Sequence, residues 1–221
     1  MARSVATHAA RAGVLFLGLA RAATAQTTTL DFESVPCTTS GASSYDSPFH
    51  LGGFTLTEFT DHLAVPDGDM SPIGFGMICD GHGWAGSKGF WSMTPEGGIR
   101  LTRTGGGTFA IKSIDLSMLE NFSGFEYGLG FTGYFADGSA VYRGFLLPTA
   151  PDVLPFASYA FGPEFGHIVA LEWYQGLTFH QFDNIIVTAT PEPATVVLLA
   201  TGLLVLAAAA RRRSRRQAAE R

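Results

Sequence analysis

The sequence predicts an all-β protein: a single β-sandwich, jelly-roll-like, flanked by an N-terminal signal helix and a C-terminal transmembrane helix. Glycine and proline interrupt the chain often, with 27 glycines and 11 prolines in 221 residues. Between them, short segments alternate apolar and polar residues, which is typical of strands with one buried face. A long helical period is absent until about residue 194. Many short strands joined by glycine-rich turns indicate a sandwich.

The predicted strands belong to one domain, residues 26–189, of a size that suits a single core. They cover residues 28–33, 53–60, 99–102, 108–116, 129–136, 140–147, 168–174 and 182–188. Asp137-Gly138 predicts a tight hairpin between two of them. A change in the alternation at Ser113 predicts a bulge or bend.

Residues 1–25 are predicted to form a secretory signal peptide. Two arginines precede an apolar run at 12–20, and residues 23–25 form an A-x-A cleavage site before Gln26. The run is too short for a membrane-spanning helix, although an uncleaved anchor is the alternative. We therefore expect the Sec translocon and signal peptidase to export and process the chain.

The C-terminal segment has three consecutive parts. Pro191, Glu192 and Pro193 predict an exposed linker, because proline donates no ladder hydrogen bond and favours extended neighbours. The uncharged stretch 194–210 has 17 residues, at the short end of the roughly 17–25 that span a bilayer as a helix. The cluster that follows would stay cytoplasmic and orient the segment. Its members are Arg211, Arg212, Arg213, Arg215 and Arg216.

The segment 26–190 is strongly acidic. It contains five basic residues against 17 acids, a net charge of −12, because the other nine basic residues lie in the two ends. Such a charge repels phosphate backbones and excludes nucleic acid as a partner. Divalent cations and neutral polysaccharides remain compatible with it. The simpler alternative is that the acidity keeps an exported protein soluble.

Cys37 and Cys79 are the two cysteines of the chain. In an oxidising compartment, two cysteines in one domain predict a disulfide rather than a metal pair or a catalytic thiol. Closing a loop of about 43 residues stabilises a fold by roughly 4 kcal/mol in the chain-entropy model.

Catalytic motifs are not recognisable, so we predict a protein that is not an enzyme. The G-x-G-x-x-G matches at 81–86 and 128–133 lack the strand-to-helix context of a dinucleotide site. No G-x-S-x-G motif occurs, and the histidines lack metal-site spacing. A secreted hydrolase is the less favoured alternative: the 17 acids include enough carboxylates for a catalytic pair, but the sequence selects none.

Two candidate binding sites remain. If the terminal strands pair, Asp31, Glu33 and Asp183 meet and offer oxygen ligands to Ca²⁺; the alternative is that these acids point outward or cap turns. Trp84 and Trp91, in the glycine-rich loop region 81–91, offer flat rings for stacking on sugars. The alternative for the tryptophans is a place in the core.

The order of the parts in residues 190–216 resembles the PEP-CTERM sorting signal of Gram-negative bacteria, with 217–221 as the cytoplasmic end. The resemblance implies recognition and cleavage by exosortase, a membrane protease. It also implies an intermediate anchored in the inner membrane, then delivery to the cell surface or the extracellular matrix.

Segments 30–33, 109–116 and 182–185 are similar to the ectodomains of many PEP-CTERM proteins. Those ectodomains resemble galactose-binding-like and carbohydrate-binding jelly rolls and are associated with exopolysaccharide and biofilm. The resemblance implies a non-enzymatic surface or matrix protein associated with polysaccharide. The alternative is a calcium-dependent, lectin-like carbohydrate-binding module.

Overall fold

The computed structural model describes residues 25–59, 74–94, 97–119, 127–148, 154–176 and 179–189, with residues 201, 202, 204 and 205. Residues 25–190 form one compact unit. Residues 201, 202, 204 and 205 are helical and exposed. Among the described residues, no helix has the length and apolar character that crossing a bilayer requires. Residues 1–24 of the predicted signal peptide lie outside the described residues, as do the other residues of the segment 194–210.

Thirteen strands and one short 3₁₀ turn make up the regular structure described within residues 25–189. The strands are β1 (Gln26–Leu30), β2 (Ala42–Tyr45), β3 (Phe49–Leu51), β4 (Phe54–Phe59), β5 (Phe75–Ile78), β6 (Gly89–Ser92), β7 (Gly98–Arg103), β8 (Phe109–Met118), β9 (Tyr127–Tyr134), β10 (Ala140–Leu147), β11 (Ala157–Ala160), β12 (Ala170–Tyr174) and β13 (His180–Ala189). The 3₁₀ turn is Pro163–Phe165.

The strands form two antiparallel sheets. The seven-stranded sheet has the order β11-β8-β13-β6-β5-β2, with β1 also paired to β13. The six-stranded sheet has the order β10-β9-β12-β7-β4-β3. Most connections cross from one sheet to the other, as in a jelly roll. The predicted all-β, jelly-roll-like sandwich is confirmed.

Aromatic side chains fill the space between the sheets. Trp173 of the six-stranded sheet is fully buried and meets Phe182 of the opposite sheet edge-on, with ring centroids 5.2 Å apart. Phe90 stacks on Phe32 at 4.5 Å and on Phe75 at 5.0 Å. Offset and edge-on ring pairs of this kind add to the stabilisation from buried area. Trp173 therefore belongs to the core and is not a sugar platform.

Eight strands coincide with predicted segments, and five short ones do not. The unpredicted strands are β2, β3, β5, β6 and β11, each only three or four residues long. Runs this short give too few residues for a period of two to stand out. The expectation of a loop throughout 81–91 is wrong, because residues 89–92 pair with β5 and β13.

The predicted irregularity at Ser113 is present. Ser113 pairs with Ile186, and the β8–β13 register shifts on both sides of that pair. Within the same stretch of β13, Asn184 has φ 46°, a left-handed conformation that asparagine tolerates better than most residues.

Candidate functional site

The sorting residues follow the sandwich directly. Strand β13 ends at Ala189, two residues before Pro191. Glu192, Pro193 and the arginine cluster 211–216 lie, like Pro191, outside the described residues. The first and last strands of the sandwich pair with each other, with Leu30 opposite Ile185.

The predicted disulfide between Cys37 and Cys79 is confirmed. It connects the segment before β2 to the end of β5, two strands that pair at one edge of the seven-stranded sheet. Beside it, the Cys79 N–H donates to the Gly41 carbonyl at 2.8 Å. The bond therefore holds an edge that is otherwise built from four-residue strands.

Asp183 is buried and is engaged by the protein. Its oxygens accept hydrogen bonds from the Ser87 hydroxyl at 2.6 Å and from the backbone N–H groups of Asn184 at 2.8 Å and Phe32 at 3.4 Å. Burial raises the pKa of Asp183, and these hydrogen bonds oppose that shift. The carboxyl thus joins β13 to the segment after β1 and to the loop before β6.

Glu33 makes a related connection through Lys88. Its carboxylate accepts the Lys88 backbone N–H at 2.9 Å, and the Lys88 ammonium donates to the carbonyl oxygens of Glu33 and Val35. In the described part of the chain, no three His, Cys, Asp or Glu groups lie together where they could hold a metal ion. Calcium binding by Asp31, Glu33 and Asp183 stays a prediction. Ser87 and Lys88 were not predicted from the sequence as the hydrogen-bond partners of Asp183 and Glu33.

The two predicted sugar-stacking tryptophans have different settings. Trp84 lies in the loop before β6 and is 38% exposed. Trp91 lies on the outward side of β6 and is half-buried, because its ring covers Gly76 of the neighbouring strand. A methyl group at Gly76 would overlap that ring. Sugar binding by Trp84 and Trp91 stays a prediction.

The outer surface of the six-stranded sheet carries a feature that the sequence reasoning missed. Of the four exposed large apolar side chains described within 25–189, three lie there: Tyr142, Leu146 and Tyr174, exposed by 69%, 62% and 36%. Tyr142 and Leu146 flank Gly144 on β10, whereas Phe145 and Leu147 point toward the core. Apolar residues on both faces of the segment 140–147 were the available signal.

Glycines form the floor between these side chains. Gly130 pairs with Gly144, and Gly128 pairs with Leu146. The Tyr142 ring lies over the Gly130–Gly144 pair, since a methyl group at Gly130 would be only 2.5 Å from the Tyr142 hydroxyl oxygen. We call this surface the tyrosine–glycine face; its members are Gly128, Gly130, Tyr142, Gly144, Leu146 and Tyr174.

A polar row borders the tyrosine–glycine face. Glu172 of β12 is opposite Arg100 of β7, and their side chains form an ion pair with Nε and Oε1 3.3 Å apart. A hydrogen bond from the Tyr134 hydroxyl to Glu172 raises the pKa of Tyr134, as does burial. Thr132 of β9 lies on the other side of Glu172. The row thus offers hydroxyls and one neutralised charge pair.

A separate apolar cavity of about 180 Å³ lies beside β8 and β10. Its described lining is Leu116, Ser117, Met118, Leu147, Pro148, Leu154, Pro155 and Ala157. The Ser117 hydroxyl already donates to the Leu154 carbonyl at 2.6 Å. None of these lining side chains is a carboxylate or a histidine, so they supply no acid–base pair.

The β-sandwich contains a disulfide and is followed directly by two prolines and an apolar stretch. These features are typical of an exported domain with a C-terminal sorting signal. Residues 189–213 match the family described as the PEP-CTERM protein-sorting motif. The chain carries this motif, which implies export, exosortase processing and a membrane-anchored sorting intermediate. Among curated proteins, none matches the chain.

Two solved structures show a distant similarity. One is a mutant of CBM29-2, a family 29 carbohydrate-binding module, 14% identical over 75% of this chain and 92% of that chain, with a TM-score of 0.30. The other is the enzymatically active domain of tailspike protein 4 of bacteriophage CBA120, 14% identical over 72% of this chain and 20% of that chain, also at 0.30. A TM-score of 0.30 is too low to indicate a shared fold or ligand.

Proposed function

We propose that this chain is an exported, non-enzymatic protein of the cell surface or extracellular matrix that associates with extracellular polysaccharide. The sorting motif at 189–213 is the observation that carries the proposal. On this account, signal peptidase removes 1–25, the apolar stretch 194–210 holds an intermediate in the inner membrane, and exosortase acts at Pro191, Glu192 and Pro193.

The pairing of the terminal strands supports release of the domain from its tail. The first and last strands pair along five residues each, from Gln26 opposite Ala189 to Leu30 opposite Ile185. The compact unit ends at Thr190, so cleavage at the motif removes no described strand. The disulfide supports the same assignment, because such bonds persist in oxidising compartments.

Three of the described acidic residues support a role other than catalysis. Asp183 and Glu33 hold loops to the sandwich through Ser87 and Lys88. Glu172 is held by Arg100. These three carboxylates are thus used within the fold, which favours a binding or structural protein.

Cell fractionation tests the proposed function. We expect the full-length protein to reach the surface or matrix fraction, whereas a variant truncated after Thr190 is exported but lost to the medium or periplasm. A third variant replaces residues 191–193 by alanine and should accumulate in the inner membrane, because it keeps the membrane stretch but loses the sorting tripeptide. Equal surface delivery of all three forms would overturn the proposal.

A further inference from the structure

We propose that the tyrosine–glycine face binds a neutral polysaccharide chain, laid across strands β10, β9 and β12. This inference rests on the proposed function and assigns its binding site. It places that site on the six-stranded sheet, away from the loop that carries Trp84.

Exposed rings on a rigid sheet provide the stacking surfaces. Tyr142 is 69% exposed although one side of its ring lies against Gly130 and Gly144. The other side therefore faces solvent, and an apolar ring face of this kind suits the C–H face of a sugar. Tyr174 is held edge-on by Phe59 at 5.5 Å, so its position is fixed before any ligand arrives, which lowers the entropic cost of binding.

The glycine floor leaves the outer faces of the two rings uncovered. Tyr142 of β10 leans over Gly130 and Gly144, and Tyr174 stands on β12, on the other side of β9. Neither glycine has a side chain that could cover the rings. The three strands span about 10 Å at two strand spacings. A platform of this extent suits an extended chain of sugars rather than a single one.

The polar row supplies hydrogen bonds for sugar hydroxyls. Glu172 and Thr132 lie beside each other on β12 and β9. Arg100, paired to Glu172, is the exposed member of the ion pair. A few fixed polar groups next to an apolar surface orient a ligand and select it.

The charge distribution selects an uncharged ligand. Arg100 and Glu172 are the charged residues at outward positions on the described strands of this sheet, and they neutralise each other. The segment 26–190 has 17 acids against five basic residues, yet this face carries only one acid. An acidic polymer would meet repulsion from the surrounding surface and no unpaired cation on the face.

Affinity electrophoresis of the full chain, purified in a non-glycosidic detergent, tests the site. The native gels contain dextran, galactomannan or xyloglucan as neutral probes, and alginate as the acidic probe. We expect at least one neutral probe to retard the protein and alginate not to. Tyr142→Ala should weaken retardation at least about tenfold, as expected for a central aromatic contact. Gly144→Thr should weaken it as well, by placing a side chain beside the Tyr142 ring on the platform.

Matched variants separate binding from folding. His82→Ala removes an exposed ring from the loop before β6, which belongs to the other sheet, and should leave retardation unchanged. Tyr142 is largely exposed, and at Gly144 a methyl group would make only ordinary contacts with the Tyr142 ring, at 3.6–4.0 Å. Both variants should therefore melt like the wild type.

Several outcomes would overturn the inference. They are retardation that survives both face substitutions, loss of retardation in His82→Ala, retardation by alginate alone, and no retardation by any neutral probe. A change from dimer to monomer in Tyr142→Ala, without any effect on sugar binding, would make the face a contact between two copies instead. If the protein reaches the matrix but no polysaccharide retards it, the proposed binding site is wrong. The sorting proposal still stands in that case, because fractionation reports on delivery alone.

Discussion

His180 is a buried titratable residue that the sorting function does not use. Within the described structure, neither of its ring nitrogens has a hydrogen-bond partner, and its ring lies 6.2 Å from that of Tyr127. Burial lowers the pKa of His180 to about 3. The fold therefore accepts the neutral imidazole and excludes the charged one.

This residue makes stability depend on pH. Because the unfolded histidine titrates near 6.5 and the folded one near 3, the unfolded state binds the proton first as pH falls. The His180 contribution is complete above about pH 6.5 and is lost toward pH 3, by up to roughly 1.4 kcal/mol per pH unit. We expect His180→Phe to flatten the pH dependence of the unfolding free energy between pH 6.5 and 4, measured by denaturant unfolding.

The exposed His167 provides the control for that measurement. His167→Gln should keep the wild-type slope. Asp183 has a raised pKa, so its own contribution falls as pH rises through that pKa. Since Asp183 is present in all three proteins, its effect cancels in their comparison. Parallel curves for the wild type and His180→Phe would contradict the account.

At the scale of the strands, the sequence predicted those strands in which apolar residues recur at alternate positions over several residues. The segments 99–102 and 129–136 were predicted clearly because large apolar residues recur at alternate positions along them. Strand β6 did not, because all four residues of Gly89–Ser92 are partly or fully covered and only its pairing with β5 and β13 makes it a strand.

The tyrosine–glycine face escaped prediction for a related reason. Its members come from three strands, and the sequence does not say that Tyr142 and Tyr174 stand on the same side of one sheet. That fact depends on the register of β9 against both β10 and β12. By contrast, pairing of the terminal strands was predictable from the fold class, and it brought Asp183 near Glu33.

The disulfide gives a prediction at this scale. A double variant, Cys37→Ser with Cys79→Ser, should lower the free energy of unfolding by about 2–4 kcal/mol, because the unfolded chain regains the freedom of the closed loop. Denaturant unfolding of the oxidised wild type, the reduced wild type and the double variant measures this. The reduced wild type should match the double variant, and three identical curves would contradict a stabilising role.

At the scale of the whole molecule, the export and sorting signals lie at the two ends of the chain and the folded domain lies between them. The ends carry nine of the 14 basic residues and the long apolar stretches, so the address was predictable from local composition. The acidic sandwich between them carries the proposed binding surface, which depends on contacts between distant residues. The domain is therefore understood from its structure, and its destination from its sequence.

The most direct test of the central claim is the intact mass of the protein recovered from the cell surface or matrix. The account predicts a chain that begins at Gln26 and ends within or next to residues 191–193, so that the arginines 211–216 are absent. Replacing Pro191, Glu192 and Pro193 by alanine should leave the tail attached in the inner-membrane fraction. Recovery of the wild-type protein at the surface with Arg221 still present would contradict the account.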